Sequence, residues 1–263
     1  MNEEKYIHYT KILRQTALKA GEKIMEIHSH GFEVNYKDDK SPVTIADQAA
    51  EKIILKDLKK ITPQIPIIAE ESVSDGYIPK VDTVFWLVDP LDGTKEFVAR
   101  RNEFTVNIAL IENGIPTFAI VYAPALGTLY TAKNTNVATL QNVIDLKTLQ
   151  QEQIIKVRDI PKEGISAVAS KSHRDQETND LLEKYKVTNI LSIGSSLKFC
   201  LLAQGKADFY PRFGPTMEWD TAAGHAVLNA AGGTVTHPDG SPYLYNKPHF
   251  KNGAFIATGK MTL

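Results

Sequence analysis

Residues 84–94, VFWLVDPLDGT, decide how this chain is interpreted. A predicted buried strand, VFWLV, delivers Asp89 and Asp92, three positions apart, at its C-terminal end. Pro90 restrains the turn, and the Leu91 carbonyl between the two acids is a plausible further oxygen ligand. Asp89 and Asp92 can therefore converge on hard cations. Taken alone, the segment also fits a plain Asx turn with Asp92 as a helix N-cap.

The two residues after this turn predict a phosphate site beside the cations. Gly93 lets the backbone approach a ligand closely, because glycine carries no Cβ. A helix that starts at about Thr94 would offer its free amides and its dipole to a phosphate oxygen.

Two more acids occur at the ends of predicted elements. Glu70 ends the strand IPIIA, and Asp220 opens a small-residue helix in MEWDTAAG. Each has an ordinary alternative, a solvent-exposed Glu at a strand end and an N-cap Asp. Together with Asp89 and Asp92, and with no His or Cys cluster, they favour an all-oxygen Mg²⁺ site over zinc. Ions roughly 3.5–4 Å apart would activate water and stabilise the leaving oxygen, which predicts phosphate-ester hydrolysis.

The order of predicted elements indicates two halves that differ in how helices and strands follow one another. Amphipathic helices over about 6–28 and 45–60 precede several strands, which makes residues 1–140 an α+β half with most metal ligands. Helices and strands then alternate, so residues 141–263 form an α/β half with Asp220 and the substrate contacts. Nothing near residue 140 resembles a free linker, and we expect one rigid body.

Composition excludes some functions. The 263 residues contain 30 Lys plus Arg against 31 Asp plus Glu, which gives no field to gather nucleic acid. The sequence contains no apolar run of about 18 residues or more, so we expect no integral membrane segment. The single cysteine, Cys200, sits in an apolar stretch and suits a reducing compartment. We expect a cytoplasmic protein. Whether it associates peripherally with a membrane, and its oligomeric state, stay open.

Four segments resemble the inositol monophosphatase superfamily, the lithium-sensitive magnesium phosphatases, over nearly the whole chain. They are SPVTIAD (41–47), AEES (69–72), DPLDGTKEF (89–97) and EWDTAAGHAVLNAAGG (218–233). Within the superfamily, Lys95-Glu96, the SKSHRD segment and GSSLKFCLLAQGKADFYPRFGPTMEWD are similar to the CysQ-type 3'(2'),5'-bisphosphate nucleotidases.

The resemblance implies a layered αβαβα sandwich with the site between the halves. It further implies a Mg²⁺-dependent enzyme of sulfur metabolism that hydrolyses 3'-phosphoadenosine 5'-phosphate to AMP and phosphate, and it leaves action on the phosphosulfate open. It matches Asp47 and Thr94 to the pair that positions the attacking water, and Gly93 and Thr94 to the phosphate cradle. The positions that match the ligands of two or three Mg²⁺ ions are Glu70, Asp89, the Leu91 carbonyl, Asp92 and Asp220.

The substrate side is predicted from the second half. A nucleotide bisphosphate carries a second phosphate that the metals do not reach, and Lys198 and Arg212 are the candidate cations for it; a solvated lysine and a surface arginine are the alternative. Gly194, Ser195 and Ser196 resemble the turn that contacts the nucleoside, although either serine could be a simple helix N-cap.

Other functions stay open at this stage. An inositol monophosphatase or a broad sugar phosphatase would share the metal core. A phosphatase of the haloacid-dehalogenase type has acids two apart rather than three and would leave Glu70 without a role. A non-catalytic metal or nucleotide sensor would not need Asp47 and Thr94. We assign a structural role to His225, and we expect Arg100 and Arg101 to be a solvated basic pair.

Overall fold

The computed structural model of the chain describes residues 3–36, 42–146, 148–169 and 175–261. Part of the predicted loop over residues 35–44 and most of the SKSHRD segment, with Lys171, His173 and Arg174, lie outside these residues. The described helices are α1 (Glu3–His30), α2 (Ile45–Ile61), α3 (Glu70–Ser74), α4 (Thr94–Val98), α5 (Gln176–Lys184), α6 (Leu197–Ala203) and α7 (Glu218–Ala230). The first two strands, β1 (Val34–Tyr36) and β2 (Pro42–Thr44), pair with each other.

A larger sheet contains seven of the described strands in sequence order. They are β3 (Ile67–Ala69), β4 (Val84–Asp92), β5 (Thr105–Glu112), β6 (Ile115–Ala123), β7 (Thr128–Asn134), β8 (Val137–Asn142) and β9 (Gln153–Ile155). β3 and β4 are parallel and every later neighbour is antiparallel. The expected boundary near residue 140 therefore falls inside β8, and the larger sheet extends to Ile155.

The alternation of side chains along β4 explains why this sheet is covered on both faces. Phe85 and Leu87 join a buried cluster with α6 and α7, whereas Trp86 and Val88 join a second cluster with α1 and α2. Successive residues of a strand point to opposite faces, so a strand with apolar residues at every position needs a partner on each side.

A smaller sheet has the order β11-β10-β12-β14-β13. Its strands are β10 (Ser166–Ala169), β11 (Asn189–Ser192), β12 (Phe209–Arg212), β13 (Thr234–Thr236) and β14 (Phe255–Thr258). Tyr210 and Phe255 pack in the cluster that holds α6 and α7, and Phe209 and Ile256 pack in the cluster that holds α5. The layers are thus α1 and α2, larger sheet, α6 and α7, smaller sheet, α5, which confirms the predicted αβαβα sandwich.

No helix in the described part of the chain is long and apolar enough to cross a membrane. The helices predicted over 6–28 and 45–60 are confirmed as α1 and α2. Cys200 is buried in α6 as a free thiol, and burial raises the pKa of that thiol above its ordinary value.

Candidate active site

A cleft of about 240 Å³ opens between the larger sheet and the α6 and α7 layer. Its lining combines the ends of β3 and β4, the start of α4, the turn before α6, the end of β12 and the start of α7. The residues that line it are Glu70, Asp89, Leu91, Asp92, Gly93, Thr94, Lys95, Glu96, Gly194, Ser195, Lys198, Phe199, Tyr210, Arg212, Thr216, Asp220 and Thr221. The structure therefore brings together every predicted metal ligand and most of the predicted substrate contacts.

A bulge at the end of β4 lets two acids three positions apart serve the same cleft. Asp89 lies opposite Asn107 of β5, but Asp92 lies opposite Thr105, so three steps on β4 match two steps on β5. An odd spacing in a regular strand would send the two side chains to opposite faces. The extra residue corrects this alternation, as bulges next to active sites commonly do.

Glu70, Asp89 and Asp220 form the tightest acidic group in the cleft. One carboxylate oxygen from each lies within 4.8 Å of the others. Burial first, and then the charge of Glu70, raise the pKa of Asp89 well above its ordinary value. Burial and the charges of Asp92 and Glu70 do the same to the pKa of Asp220. Like charges this close repel each other, so the group fits a bound divalent cation, and its all-oxygen donor set suits Mg²⁺.

Asp92 lines the same cleft but has closer polar partners. Its Oδ2 accepts hydrogen bonds from the Ser196 amide at 2.6 Å and from Asn107 Nδ2 at 3.3 Å. Burial raises the pKa of the Asp92 carboxyl, and the nearby Lys198 ammonium and these hydrogen bonds oppose that rise. Asp92 is therefore held in place by groups from the N-cap position of α6 and from β5.

The ordinary roles considered for these acids are present only in part, because an Asx turn forms at Asp89 but Gly93, not Asp92, is the N-cap of α4. Asp89 Oδ1 accepts from the Leu91 amide at 3.0 Å, which is an Asx turn, and Asp220 Oδ2 accepts from the Met217 amide at 2.8 Å. Asp220 lies at N3 of α7 rather than at the N-cap. Local turn formation and convergence on the cleft thus coexist, because each carboxylate has two oxygens.

Asp47 and Thr94 are in contact, as predicted. Thr94 Oγ1 lies 3.1 Å from Asp47 Oδ1 and 3.0 Å from the Leu91 carbonyl oxygen, and its single proton can go to either. Asp47 Oδ2 accepts from the amide and the hydroxyl of Thr44, the N-cap of α2. Burial raises the pKa of Asp47 to about 6, against the lowering effect of these hydrogen bonds.

Gly93 adopts a conformation that glycine tolerates best. Its φ is +95°, and a Cβ at this position would lie 2.9 Å from the Glu103 carbonyl oxygen. A side chain here would therefore displace the backbone that packs over the start of α4. α4 does begin at Thr94, as the predicted phosphate seat requires, but it has only five residues.

Glu51 was not predicted as a functional residue, yet it supports the segment that carries Glu70. It is buried on α2, and its carboxylate accepts from the Glu71 amide at 2.8 Å, the Ser72 amide at 3.0 Å and the Ser72 hydroxyl at 2.6 Å. These hydrogen bonds fix the junction between β3 and α3. Glu51 follows Asp47 by four residues on one helix face, and that pair of acids was the available signal.

The predicted substrate residues differ in their surroundings. Lys198 is buried; its Nζ donates to the Ser195 carbonyl at 2.7 Å and lies 5.6 Å from the centre of the Tyr210 ring. Arg212 is half-buried, and its guanidinium donates to the carbonyls of Gly214 at 3.3 Å and Pro215 at 3.1 Å. Arg212 is therefore positioned by a surface loop.

Of the three small residues in the turn before α6, two line the cleft and one does not. Gly194 and Ser195 line the cleft, and Ser195 has a φ of +52°. A Cβ on Gly194 would lie 2.8 Å from the Glu103 carbonyl oxygen and 2.9 Å from Glu96 Cγ, so the turn fits tightly against the first half. Ser196 is 1% exposed and does not line the cleft. At the N-cap position of α6 its side chain makes no capping hydrogen bond.

His225 and the arginine pair lie away from the cleft wall. His225 is buried, its Nδ1 lies 3.0 Å from the Tyr245 hydroxyl, and burial lowers its pKa to about 3. Arg100 is exposed and stacks 4.9 Å from the centre of the Phe32 ring. Arg101 is half-buried and contacts Glu96 at 3.5 Å, so only Arg100 is solvated as expected.

Comparison with known proteins gives one consistent group. The sequence profile of the inositol monophosphatase family matches residues 6–260. The 3'(2'),5'-bisphosphate nucleotidase CysQ of Salmonella typhimurium is 43% identical, over 93% of this chain and 97% of the relative. The crystal structure of CysQ from Bacteroides thetaiotaomicron, a bacterial member of the family, superposes with a TM-score of 0.80 at 37% identity, over 100% and 99% of the two chains. The extragenic suppressor protein SuhB of Bartonella henselae has a TM-score of 0.77 at 25% identity, over 96% and 94%.

Proposed function

The chain belongs to the inositol monophosphatase family, and we propose that it is a 3'(2'),5'-bisphosphate nucleotidase, a phosphoric monoester hydrolase. The observation that carries the proposal is the 43% identity to a curated nucleotidase over 93% of the chain. The substrate that we propose is 3'-phosphoadenosine 5'-phosphate, which would yield AMP and phosphate.

We assign Mg²⁺ to the acidic cleft, held by Glu70, Asp89, Asp92 and Asp220 together with the Leu91 carbonyl. The raised pKa values of the Asp89 and Asp220 carboxyls support this assignment, because burial and the repulsion between neighbouring carboxylates raise them and a bound cation would favour the ionised forms. When bound, Mg²⁺ supplies positive charge to the phosphoryl oxygens and to the attacking water. Two or three ions is the number we propose.

The contact between Asp47 and Thr94 supports a role in orienting water. A water that donates to Thr94 Oγ1 is oriented for attack on phosphorus when the threonine proton points at Asp47 Oδ1, 3.1 Å away. As the new P–O bond forms and the ester P–O bond breaks, the water proton passes through the hydroxyl to the carboxylate, and the departing ester oxygen takes up a proton from solvent water. Asp47 must be ionised at the start of this step.

Gly93, Thr94 and Arg212 are the residues that we propose for the two phosphates. The first two would cradle the phosphate that is removed, at the start of α4. Arg212, on the cleft wall of the second half, suits the distal phosphate because a guanidinium offers a planar fork of donors. Lys198 remains a candidate, but its ammonium already donates to the Ser195 carbonyl. Gly194 and Ser195 are proposed to face the nucleoside.

Phosphate release from 3'-phosphoadenosine 5'-phosphate and from inositol 1-phosphate, measured side by side, tests the substrate. We expect kcat/KM to favour the bisphosphate. A preference for inositol 1-phosphate would replace the nucleotidase by an inositol monophosphatase, and no release from either would favour a non-catalytic sensor.

The roles of Arg212 and Lys198 are tested on the same two substrates. Arg212→Ala should lower kcat/KM on the bisphosphate by about 1.5–3 kcal/mol, the range for charge-assisted hydrogen bonds, and should hardly affect inositol 1-phosphate. Arg100→Ala, at an exposed arginine that stacks on Phe32, is the matched control. Equal losses on both substrates would reject the assignment, and a selective loss in Lys198→Ala instead would transfer it to Lys198.

A small phosphorylated nucleotide is the partner that this function requires. We propose a cytoplasmic location, supported by Cys200 as a buried free thiol.

A further inference from the structure

Ser196 uses its backbone and its side chain on two different cleft acids. Its amide donates to Asp92 Oδ2 at 2.6 Å, and its hydroxyl donates to the backbone carbonyl of Asp220 at 2.8 Å. Asp92 ends β4 of the larger sheet, whereas Asp220 lies in the first turn of α7. One serine therefore connects acids that come from different layers of the fold.

Asn107 completes this connection from β5. It is 1% exposed, and its Nδ2 donates to the Ser196 hydroxyl at 2.9 Å and to Asp92 Oδ2 at 3.3 Å. The Ser196 hydroxyl accepts from Asn107 and donates to the Asp220 carbonyl, and its interaction with Asp92 also helps to lower the pKa of that carboxyl. A buried amide in the mostly apolar strand TVNIALIE is costly unless it is hydrogen-bonded, and here the amide nitrogen makes the hydrogen bonds, whereas Oδ1 has none among the described residues.

We infer that Ser196 and Asn107 are positioning residues that fix the Asp92 carboxylate relative to the Asp220 end of α7. The hydrogen bonds that Asp92 accepts from the Ser196 amide and from Asn107 both end at Oδ2, so we assign Oδ1 to the cation. Partners that orient a ligand carboxylate in this way commonly control metal affinity. Ser196 is then not a nucleoside contact, in agreement with its absence from the cleft lining. The inference rests on the proposed role of Asp92 and Asp220 as metal ligands.

The test measures Mg²⁺ binding without substrate, by titration calorimetry, and the apparent Mg²⁺ requirement of turnover. Ser196→Ala keeps the amide that holds Asp92 but removes the hydroxyl link, and Asn107→Ala removes the other partner. Each should weaken Mg²⁺ affinity roughly 10-fold, at the lower end of the range for outer partners of metal ligands. KM for the nucleotide at saturating Mg²⁺ should change little. Both variants break the same hydrogen bond, between Asn107 and Ser196. The loss of Mg²⁺ affinity in the double variant should therefore be far smaller than the product of the two single losses.

Thr258→Val is the matched control, since it removes a buried hydroxyl that pairs with Thr234 at 2.9 Å on the smaller sheet. It should leave Mg²⁺ affinity unchanged. Unaltered affinity in Ser196→Ala, or losses that multiply in the double variant, would overturn the inference. If Ser196→Ala does not fold, Asn107→Ala alone carries the comparison. A wild-type protein that binds no Mg²⁺ would instead reject the proposed metal site itself.

Discussion

Asp89 carries out two tasks with its two oxygens, and this separates its effect on stability from its effect on activity. Oδ1 accepts from the Leu91 amide and shapes the turn, while the carboxylate also shares the acidic group with Glu70 and Asp220. Asparagine keeps an oxygen for the turn but removes the charge. The Asp89→Asn variant therefore isolates the electrostatic role of this residue.

We expect Asp89→Asn and Asp220→Asn to lower turnover by orders of magnitude, because an all-oxygen site loses a charged ligand. The same changes should raise the melting temperature of the metal-free protein, since they relieve repulsion between buried carboxylates. Asp57→Asn, at an acid that accepts from Thr16 between α1 and α2, is the control that should leave turnover intact. Full activity of the wild type in excess chelator would contradict the metal assignment.

Thr94 separates water activation from substrate binding. Thr94→Ala should lower kcat by about 10²–10⁴-fold, the usual contribution of positioned proton transfer, with a much smaller change in KM. Thr94→Ser keeps the hydroxyl that contacts Asp47 and should retain most of the activity. Steady-state kinetics on the bisphosphate decide the matter, and an unchanged kcat in Thr94→Ala would show that this pair is misassigned.

Sequence reasoning was strong where a residue type and its motif already define the contact. The contact between Asp47 and Thr94 joins segments 47 positions apart and was expected from resemblance. The direction of the Ser196 hydroxyl could not be predicted, because its acceptor is a carbonyl of α7. Asn107 was missed although an amide between the apolar residues of a buried strand is a signal, since its partners lie 15 and 89 positions away.

At the scale of elements, the junction between β3 and α3 shows how a short segment is held in place. α3 has only five residues and Ala69 provides no side-chain cap, so Glu51 from α2 supplies the acceptors for its first amides. Glu70 is the first residue of this helix. The position of a proposed metal ligand therefore depends on a buried acid from another helix.

Glu51→Gln should increase the Mg²⁺ concentration that gives half-maximal activity, by about 10-fold, because the neutral amide holds the α3 amides less strongly. kcat at saturating Mg²⁺ should fall much less. Glu152→Gln is the matched control, because Glu152 also accepts from three side chains, those of Arg14, Lys133 and Thr139, but away from the cleft. The expectation fails if both variants change the Mg²⁺ requirement equally.

Element boundaries were predicted best where apolar periodicity is long. α1 and α2 match their predicted spans closely, whereas β8 and β9 were not foreseen. VATLQN and QII are short, partly exposed strands. VATLQN pairs with β7 and QII pairs with β8, so their formation depends on these neighbours rather than on their own pattern. For the same reason, the boundary predicted near residue 140 precedes the actual end of the larger sheet.

At the scale of the whole molecule, the acidic cleft lies where the layers of the fold meet. The titration of its carboxyls therefore affects the free energy of unfolding of the whole protein. Burial raises the folded-state pKa of Asp47 to about 6 and also raises those of Asp89, Asp92 and Asp220 above 3.8. An acid whose pKa is raised by folding holds its proton more tightly in the folded state than in the unfolded state. Stability therefore falls as pH rises from the unfolded pKa through the folded one.

Mg²⁺ should reverse this trend, because it binds the ionised carboxylates and competes with their protons. The rise in melting temperature that Mg²⁺ produces should thus be larger at about pH 7.5 than at about pH 5.5, as proton linkage requires. At a concentration near 100 times Kd the stabilisation is about 2.7 kcal/mol, which corresponds to roughly 5–10 °C for a chain of this size.

The comparison of Mg²⁺ with chelator at each pH isolates the cleft from other titrating groups. His225, whose pKa burial lowers to about 3, makes stability rise with pH over the same interval, but it contributes equally with and without Mg²⁺ and so cancels. Differential scanning calorimetry of the wild type and of Asp89→Asn supplies the measurement. The variant should show a smaller Mg²⁺ effect with a weaker pH dependence. If the wild-type increment is the same at both pH values or larger in acid, the carboxylates that titrate in this range are not the groups that hold the cation.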